Sequence, residues 1–150
     1  MSICDIKRWR LYNDTDNIDD GYLKKIISFC RIKEVTKFIV YVSPSDDSFF
    51  EGWAHGDIEG VHPHYIELFL GDKRTRNIKY AFGGSDTLSF DEGLIFMVAH
   101  EMRHLWQYAK LETRYFGFSK KEIEVDADRY AHGILQKWKN GAGFRYAFYG

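Results

Sequence analysis

The segment FMVAHEMRHLWQY, Phe96 to Tyr108, constrains the fold more than any other part of the sequence. It is apolar enough for a buried helix, yet it carries His100, Glu101 and His104. Residues four apart on an α-helix lie one turn apart on the same face, so the two imidazoles point the same way. Burying three ionisable groups costs free energy unless they are paired, and a divalent cation removes much of that cost. The segment therefore predicts a buried helix that carries part of a metal site.

Two helices have clear start signals. Each opens with a serine that is followed three residues later by a glutamate, the capping box in which each side chain satisfies a backbone N–H. The two pairs are Ser89 with Glu92, and Ser119 with Glu122. The second helix ends at Gly141, since glycine readily takes the left-handed cap conformation. The pattern predicts helices over 89–110 and 119–141.

The rest of the chain predicts one more helix and a small sheet. Apolar residues at helical spacing indicate a helix over 18–33, and β-branched, aromatic or alternating segments indicate strands. The predicted strands are 36–43, 52–60, 64–71 and 78–84, with polar turns at 43–47 and 71–77. A chain of 150 residues with this order is expected to be a single compact α+β domain. It would have an N-terminal helix, a small, mostly antiparallel twisted sheet and two helices carrying the metal site.

A third metal ligand, beside His100 and His104, is expected on the second capped helix, 119–141. Glu124 lies twenty residues after His104, and Asp128 follows it on the same helical face. Ala127 and Ala131 are small enough to let this helix approach the histidine helix closely. Because a metal-bound histidine usually donates its other ring N–H to a carboxylate, we expect Glu124 on the metal and Asp128 behind an imidazole.

The pattern H-E-x-x-H on a helix is a zinc-protease motif, with two histidine ligands and a glutamate general base. HEMRH fits it, so His100 and His104 are the expected ligands and Glu101 the expected base. Three protein ligands leave one position for water, whose pKa zinc lowers to about 7. The expected cofactor is one Zn²⁺ per chain, with Glu101 transferring the proton of the activated water.

HEMRH, a gap of about twenty residues and the E-x-x-A-D pattern of EVDAD together resemble the gluzincin metallopeptidases. The resemblance covers roughly residues 78 to 136. It implies His100, His104 and Glu124 as zinc ligands, Glu101 as base and Asp128 as the partner of a ligand histidine. It also implies a substrate-binding edge strand and an oxyanion-stabilising tyrosine. The implied strand residues are Tyr80, Ala81, Phe82 and Gly83, and the implied tyrosine is Tyr115.

In size the chain is similar to the compact metallopeptidase domains of the ImmA/IrrE and SprT-like groups. SprT-like enzymes have a histidine as third ligand. The histidine that could be considered for that position here, His132, lies off the Glu124 face of its helix, so Glu124 is the expected third ligand. The residues alone do not identify the group that stabilises the oxyanion. Its candidates are Tyr115, Tyr130, His55, His62 and His64.

The charge and composition of the chain limit the classes of molecule that it is expected to bind. A net charge of -1, without a basic stripe, does not favour a nucleic-acid binder. No apolar run suggests a signal peptide or a membrane span, and the two cysteines, Cys4 and Cys30, are expected to be reduced thiols. We therefore expect a cytoplasmic enzyme with a peptide or protein substrate. The alternatives are a catalytically silent metal-binding regulatory or structural domain, and a zinc amidase acting on cell-wall peptide.

Overall fold

The structure, a computed structural model, describes residues 2–6, 9–45, 51–56, 64–71, 75–115 and 118–142, without the side chains of 2–6, 111–115 and 142. This part of the chain is a mixed α+β arrangement of three α-helices with two small sheets. The strands are β1 Ser2–Ile6, β2 Trp9–Asn13, β3 Phe38–Pro44, β4 Glu51–His55, β5 His64–Leu70, β6 Thr75–Lys79 and β7 Ser85–Ser89. The helices are α1 Asp20–Cys30, α2 Phe90–Tyr115 and α3 Lys120–Lys137, followed by a π-helical turn, Trp138–Ala142.

The larger sheet has the strand order β1-β2-β3-β5-β4. Its central pairs, β2 with β3 and β3 with β5, are parallel, and its two outer pairs are antiparallel. The prediction of a mostly antiparallel sheet is therefore wrong at its centre. The strands β1 and β2 precede the first helix and were not predicted, so the expected N-terminal helix is the third element. Parallel pairing requires a crossover connection, and α1 provides it between β2 and β3.

The predicted strands over 36–43 and 64–71 are confirmed as β3 and β5. Along β5, Ile66, Leu68 and Leu70 are buried while the residues between them are only partly buried, which is the alternation that the sequence indicated. The first half of the predicted 52–60 strand is confirmed as β4, and residues 57–60 lie outside the described part. The aromatic tail 143–150 also lies outside it.

The predicted strand 78–84 is confirmed only at Ile78 and Lys79, which end β6, and is wrong for the rest. Residues 80–84 form the turn between β6 and β7, closed by hydrogen bonds from Tyr80 N to Gly84 O and from Gly83 N to Tyr80 O, both 3.0 Å. Gly83 and Gly84 have φ angles of 106° and 85°, which favour glycine and reverse the chain here. Residues 75–77, predicted as part of a polar turn, instead belong to β6.

Helix α1 starts two residues later and ends three residues earlier than predicted, and Asp19 accepts a hydrogen bond from Tyr22 N at its start. Both predicted capping boxes are present, at Ser89 and at Ser119. Gly141 has φ 87°, as expected for a left-handed cap.

Helix α2 is the centre of the fold, because it packs against α1, α3, β4 and β5. Residues 93–99 are buried all round the helix. In the described part of the chain, no helix is both long enough and apolar enough to cross a membrane.

Candidate metal centre

His100 and His104 project from the same face of α2, one turn apart. Their Nε2 atoms lie 3.0 Å from each other, and their rings meet edge to face with centroids 4.6 Å apart. Only 16% of the His100 side chain and 10% of the His104 side chain is exposed. The two imidazole nitrogens therefore face the same small volume, largely shielded from water.

Glu124 reaches this volume from α3. Its Oε2 lies 3.1 Å from His100 Nε2 and its Oε1 lies 3.3 Å from His104 Nε2. The hydrogen bond from His100 and the proximity of the His104 ring lower the pKa of Glu124 strongly, although its partial burial acts in the opposite direction. Ala127 and Ala131 are fully buried in the α2–α3 contact, which is the close approach expected from their small size.

Asp128 lies behind His100. Its Oδ1 is 2.7 Å from His100 Nδ1, and its Oδ2 accepts a 2.6 Å hydrogen bond from the backbone N–H of Ala81. Asp128 is only 6% exposed. One buried carboxylate therefore fixes the orientation of His100 and also fastens the β6–β7 turn to α3.

Gln107 lies behind His104, and the sequence reasoning missed it. Its Oε1 is 2.8 Å from His104 Nδ1, and its Nε2 donates to Ile123 O at 3.0 Å and to Asp126 Oδ2 at 2.9 Å. The sequence does indicate this contact, because Gln107 follows His104 by three residues and therefore lies on the neighbouring part of the same helical face.

The chemistry of these donors fits a divalent cation. Because Nδ1 of each histidine is hydrogen-bonded on its outer side, each Nε2 is directed at the Glu124 carboxylate and at the other ring. One ligand atom from each of the three residues lies within 4.8 Å of the others. The pairwise separations of 3.0, 3.1 and 3.3 Å approach the roughly 3.3 Å between neighbouring ligands on a tetrahedral zinc with bonds of about 2.0–2.1 Å.

A proton on His100 supplies positive charge to this cluster. Burial would lower the pKa of His100, but hydrogen bonds to the Asp128 and Glu124 carboxylates outweigh it and raise that pKa to about 10. His100 is then an imidazolium at neutral pH, with both ring N–H groups donated. The three residues therefore share one positive charge, carried as a proton on His100.

Glu101 follows His100 on α2 and is 7% exposed. Its Oε1 lies 4.0 Å from His100 Nε2, beside the ligand cluster. Burial raises the pKa of this carboxyl group above its usual value, although the neighbouring histidines lower it. A carboxylate with a raised pKa is a better proton acceptor near neutral pH than an exposed one.

A cleft of about 550 Å³ opens beside this cluster. One wall is strand β4, represented by Gly52 and Trp53, and the other is β6 with the start of the following turn. Within the described residues β4 is an edge strand that pairs only with β5. His100, Glu101 and Glu124 lie among the residues that line the cleft.

The residues predicted to bind substrate, 80–83, lie in the β6–β7 turn and contact other groups of the protein. Tyr80 and Phe82 stack on each other with ring centroids 4.8 Å apart and contact His132 edge-on. Ala81 lines the cleft but uses its N–H for Asp128. Tyr80 to Gly83 therefore do not form an edge strand.

Two of the candidate oxyanion groups within the described residues, Tyr130 and His55, have other partners. The Tyr130 hydroxyl donates to Cys30 O at 2.8 Å, and His55 Nε2 lies 2.8 Å from Glu67. His64 begins β5, while His62 and the side chain of Tyr115 lie outside the described part. Comparison with known proteins adds no assignment: no protein-family model, no curated protein and no solved structure matches this chain.

Proposed function

We propose that this chain is a zinc-dependent metallopeptidase with a zincin-like domain of the gluzincin type. The observation that carries the proposal is the convergence of His100, His104 and Glu124 beside the buried Glu101, at the wall of an open cleft. A purely structural zinc site would instead fill all four positions with protein ligands, commonly including cysteine. The described free cysteine, Cys30, is fully buried against α2 through Ile95 O, on another part of the helix.

When bound, a zinc ion with one open position activates water and polarises a carbonyl group. Residues of the chain transfer the proton and orient the metal ligands. Glu101 accepts the proton of the attacking water on a carboxylate oxygen and returns it to the leaving amine. Asp128 holds His100 through its Nδ1–H and keeps the ring from rotating.

The cleft is suited to an extended peptide. The outer edge of β4 offers backbone N–H and C=O groups, and a peptide binds such an edge by adding a strand. In this proposal β4 takes the role that the sequence resemblance assigned to residues 80–83. Trp53, which is 53% exposed on β4, borders the same cleft.

The proposal is tested by zinc analysis of the purified protein together with cleavage of a peptide library. We expect about one zinc per chain in the parent protein. Glu124→Ala should lose the metal, whereas Glu101→Gln should keep it and lose cleavage. Glu34→Ala, a change at an exposed carboxylate in the turn after α1, should alter neither measurement.

Each outcome has a distinct meaning. A parent protein that holds no zinc after zinc addition and gel filtration would refute the metal site and the peptidase proposal with it. Zinc binding without any cleavage would favour the silent regulatory domain, and cleavage restricted to cell-wall peptides would favour the amidase.

A further inference from the structure

We propose that Gln107 is a positioning residue that fixes the tautomer of His104, and that Asp126 and Arg103 hold Gln107 in the single orientation that does so. The inference deepens the proposed function and rests on its metal site. A histidine can bind a metal through Nε2 only if that nitrogen carries no proton, so the tautomer decides whether His104 is available as a ligand.

The orientation of the Gln107 amide follows from its partners. Ile123 O and the Asp126 carboxylate can only accept hydrogen bonds, so the end of the amide that faces both must be the NH₂ group. The opposite end, Oε1, then faces His104 Nδ1 at 2.8 Å. Since Oε1 can only accept, His104 must carry its proton on Nδ1, which leaves Nε2 unprotonated and directed at the ligand cluster.

The burial of Gln107 and His104 leaves the Gln107 amide a single favourable orientation. Gln107 is 1% exposed and His104 is 8% exposed, so water is not available to replace a lost hydrogen bond. If the amide were reversed, its oxygen would face two acceptors and its NH₂ would face His104. A buried polar group without a partner is costly, so the reversed orientation is strongly disfavoured.

Arg103 holds the Asp126 carboxylate that accepts from Gln107. Its Nε donates to Asp126 Oδ2 at 2.8 Å and its Nη2 donates to Oδ1 at 3.2 Å, a two-point contact that fixes the carboxylate plane. The guanidinium lies 3.8 Å from the centre of the Trp106 ring, so Arg103 itself is held in place. Helix α3 thus orients both ligand histidines, His100 directly through Asp128 and His104 through Asp126 and Gln107.

The test uses two readouts on the full chain, with zinc alone as the probe. Long-range ¹H–¹⁵N spectra of the ¹⁵N-labelled, metal-free protein report which ring nitrogen of His104 carries the proton. We expect Nδ1–H in the parent protein and a mixture with Nε2–H, or Nε2–H alone, in Gln107→Leu. Zinc affinity measured by chelator competition should fall by about 10- to 100-fold in Gln107→Leu, the usual effect of losing an orienting partner.

Gln136→Leu is the matched control, because Gln136 also lies within 3.4 Å of a histidine, His132, one turn away on α3. It should leave the His104 tautomer and the zinc affinity unchanged. Asp126→Ala provides a second variant in case Gln107→Leu does not fold, since 44% of the Asp126 side chain is exposed. Without the carboxylate, Gln107 Nε2 loses one of its two acceptors, so this variant should raise the Nε2–H population and weaken zinc binding in the same direction.

The inference and the proposed function fail separately. An unchanged Nδ1–H tautomer in the folded variants, or Nε2–H in the parent protein, would overturn the role of Gln107 even if zinc binds. A parent protein that binds no zinc, but whose His104 tautomer changes in Gln107→Leu, would support the positioning role while refuting the peptidase.

Discussion

Gly52 of β4 lies directly over Glu101 of α2. A Cβ atom placed on Gly52 would lie 3.2 Å from Glu101 Cγ and 2.9 Å from Met97 Cγ. The absence of a side chain at this position lets the edge strand approach α2 closely enough to cover Glu101. The burial that raises the Glu101 pKa therefore depends in part on a glycine in a different element.

We expect Gly52→Ala to push β4 away from Glu101 or to displace Met97. Such overpacking typically costs about 1–3 kcal/mol of unfolding free energy. Cleavage should fall more than zinc content, because the displaced groups border Glu101 rather than the three ligands. Gly133→Ala is the control: no heavy atom lies within 4 Å of the added Cβ on α3, so it should stabilise the protein by about 0.5–1 kcal/mol. Equal effects of the two changes in urea unfolding would contradict the close contact at Gly52.

Asp128→Asn should weaken zinc binding by about 10- to 100-fold, because the orienting carboxylate behind His100 is lost. The same change should loosen the β6–β7 turn, since Asp128 also accepts the Ala81 N–H. Faster amide hydrogen exchange at Ala81 would report the second effect, measured beside zinc affinity. Asp86→Asn, which alters the carboxylate that accepts the Tyr80 hydroxyl in the same hairpin, should keep zinc affinity near the parent value. If Asp86→Asn weakened zinc binding as much as Asp128→Asn, the effect would belong to the hairpin and not to His100.

Zinc affinity should rise with pH. The pKa of His100 in the metal-free protein is raised from 6.5 to about 10, so a proton must leave before a metal binds. Apparent affinity should therefore fall about tenfold for each pH unit below that pKa, while only this proton is exchanged. Titration calorimetry in buffers of different ionisation enthalpy would count the released protons. Binding that releases no proton near neutral pH would show that His100 is already neutral in the metal-free protein.

Cys30 should resist thiol reagents in the native protein. It is fully buried, its Sγ lies 3.4 Å from Ile95 O, and burial raises the pKa of its thiol far above the usual value. A protein carrying Cys4→Ser would make Cys30 the only thiol in the chain, so labelling should appear only on unfolding. Because the folded-state pKa is raised, the unfolded chain ionises first, and stability should decline as pH rises above about 8.5. Rapid labelling under native conditions would place Cys30 outside the core.

Much of the candidate site could be predicted from the sequence because it depends on helical spacing. His100 and His104 share a face by their spacing of four, and so do Glu124 and Asp128. The capping boxes fixed where α2 and α3 begin, and alternation identified β5. These signals are local, since each depends on residues within one or two turns of the same element.

Only the tertiary structure determined the remaining features. The parallel centre of the sheet, the turn at residues 80–84, the contact of Gln107 with Asp126 and the position of Gly52 over Glu101 all depend on which elements become neighbours. Long-range pairing and packing decide these relationships, and they leave no periodic pattern in any single segment. The sequence thus determined which side chains each helix presents, while packing of α2 against α3 and β4 decided which partners orient and cover them.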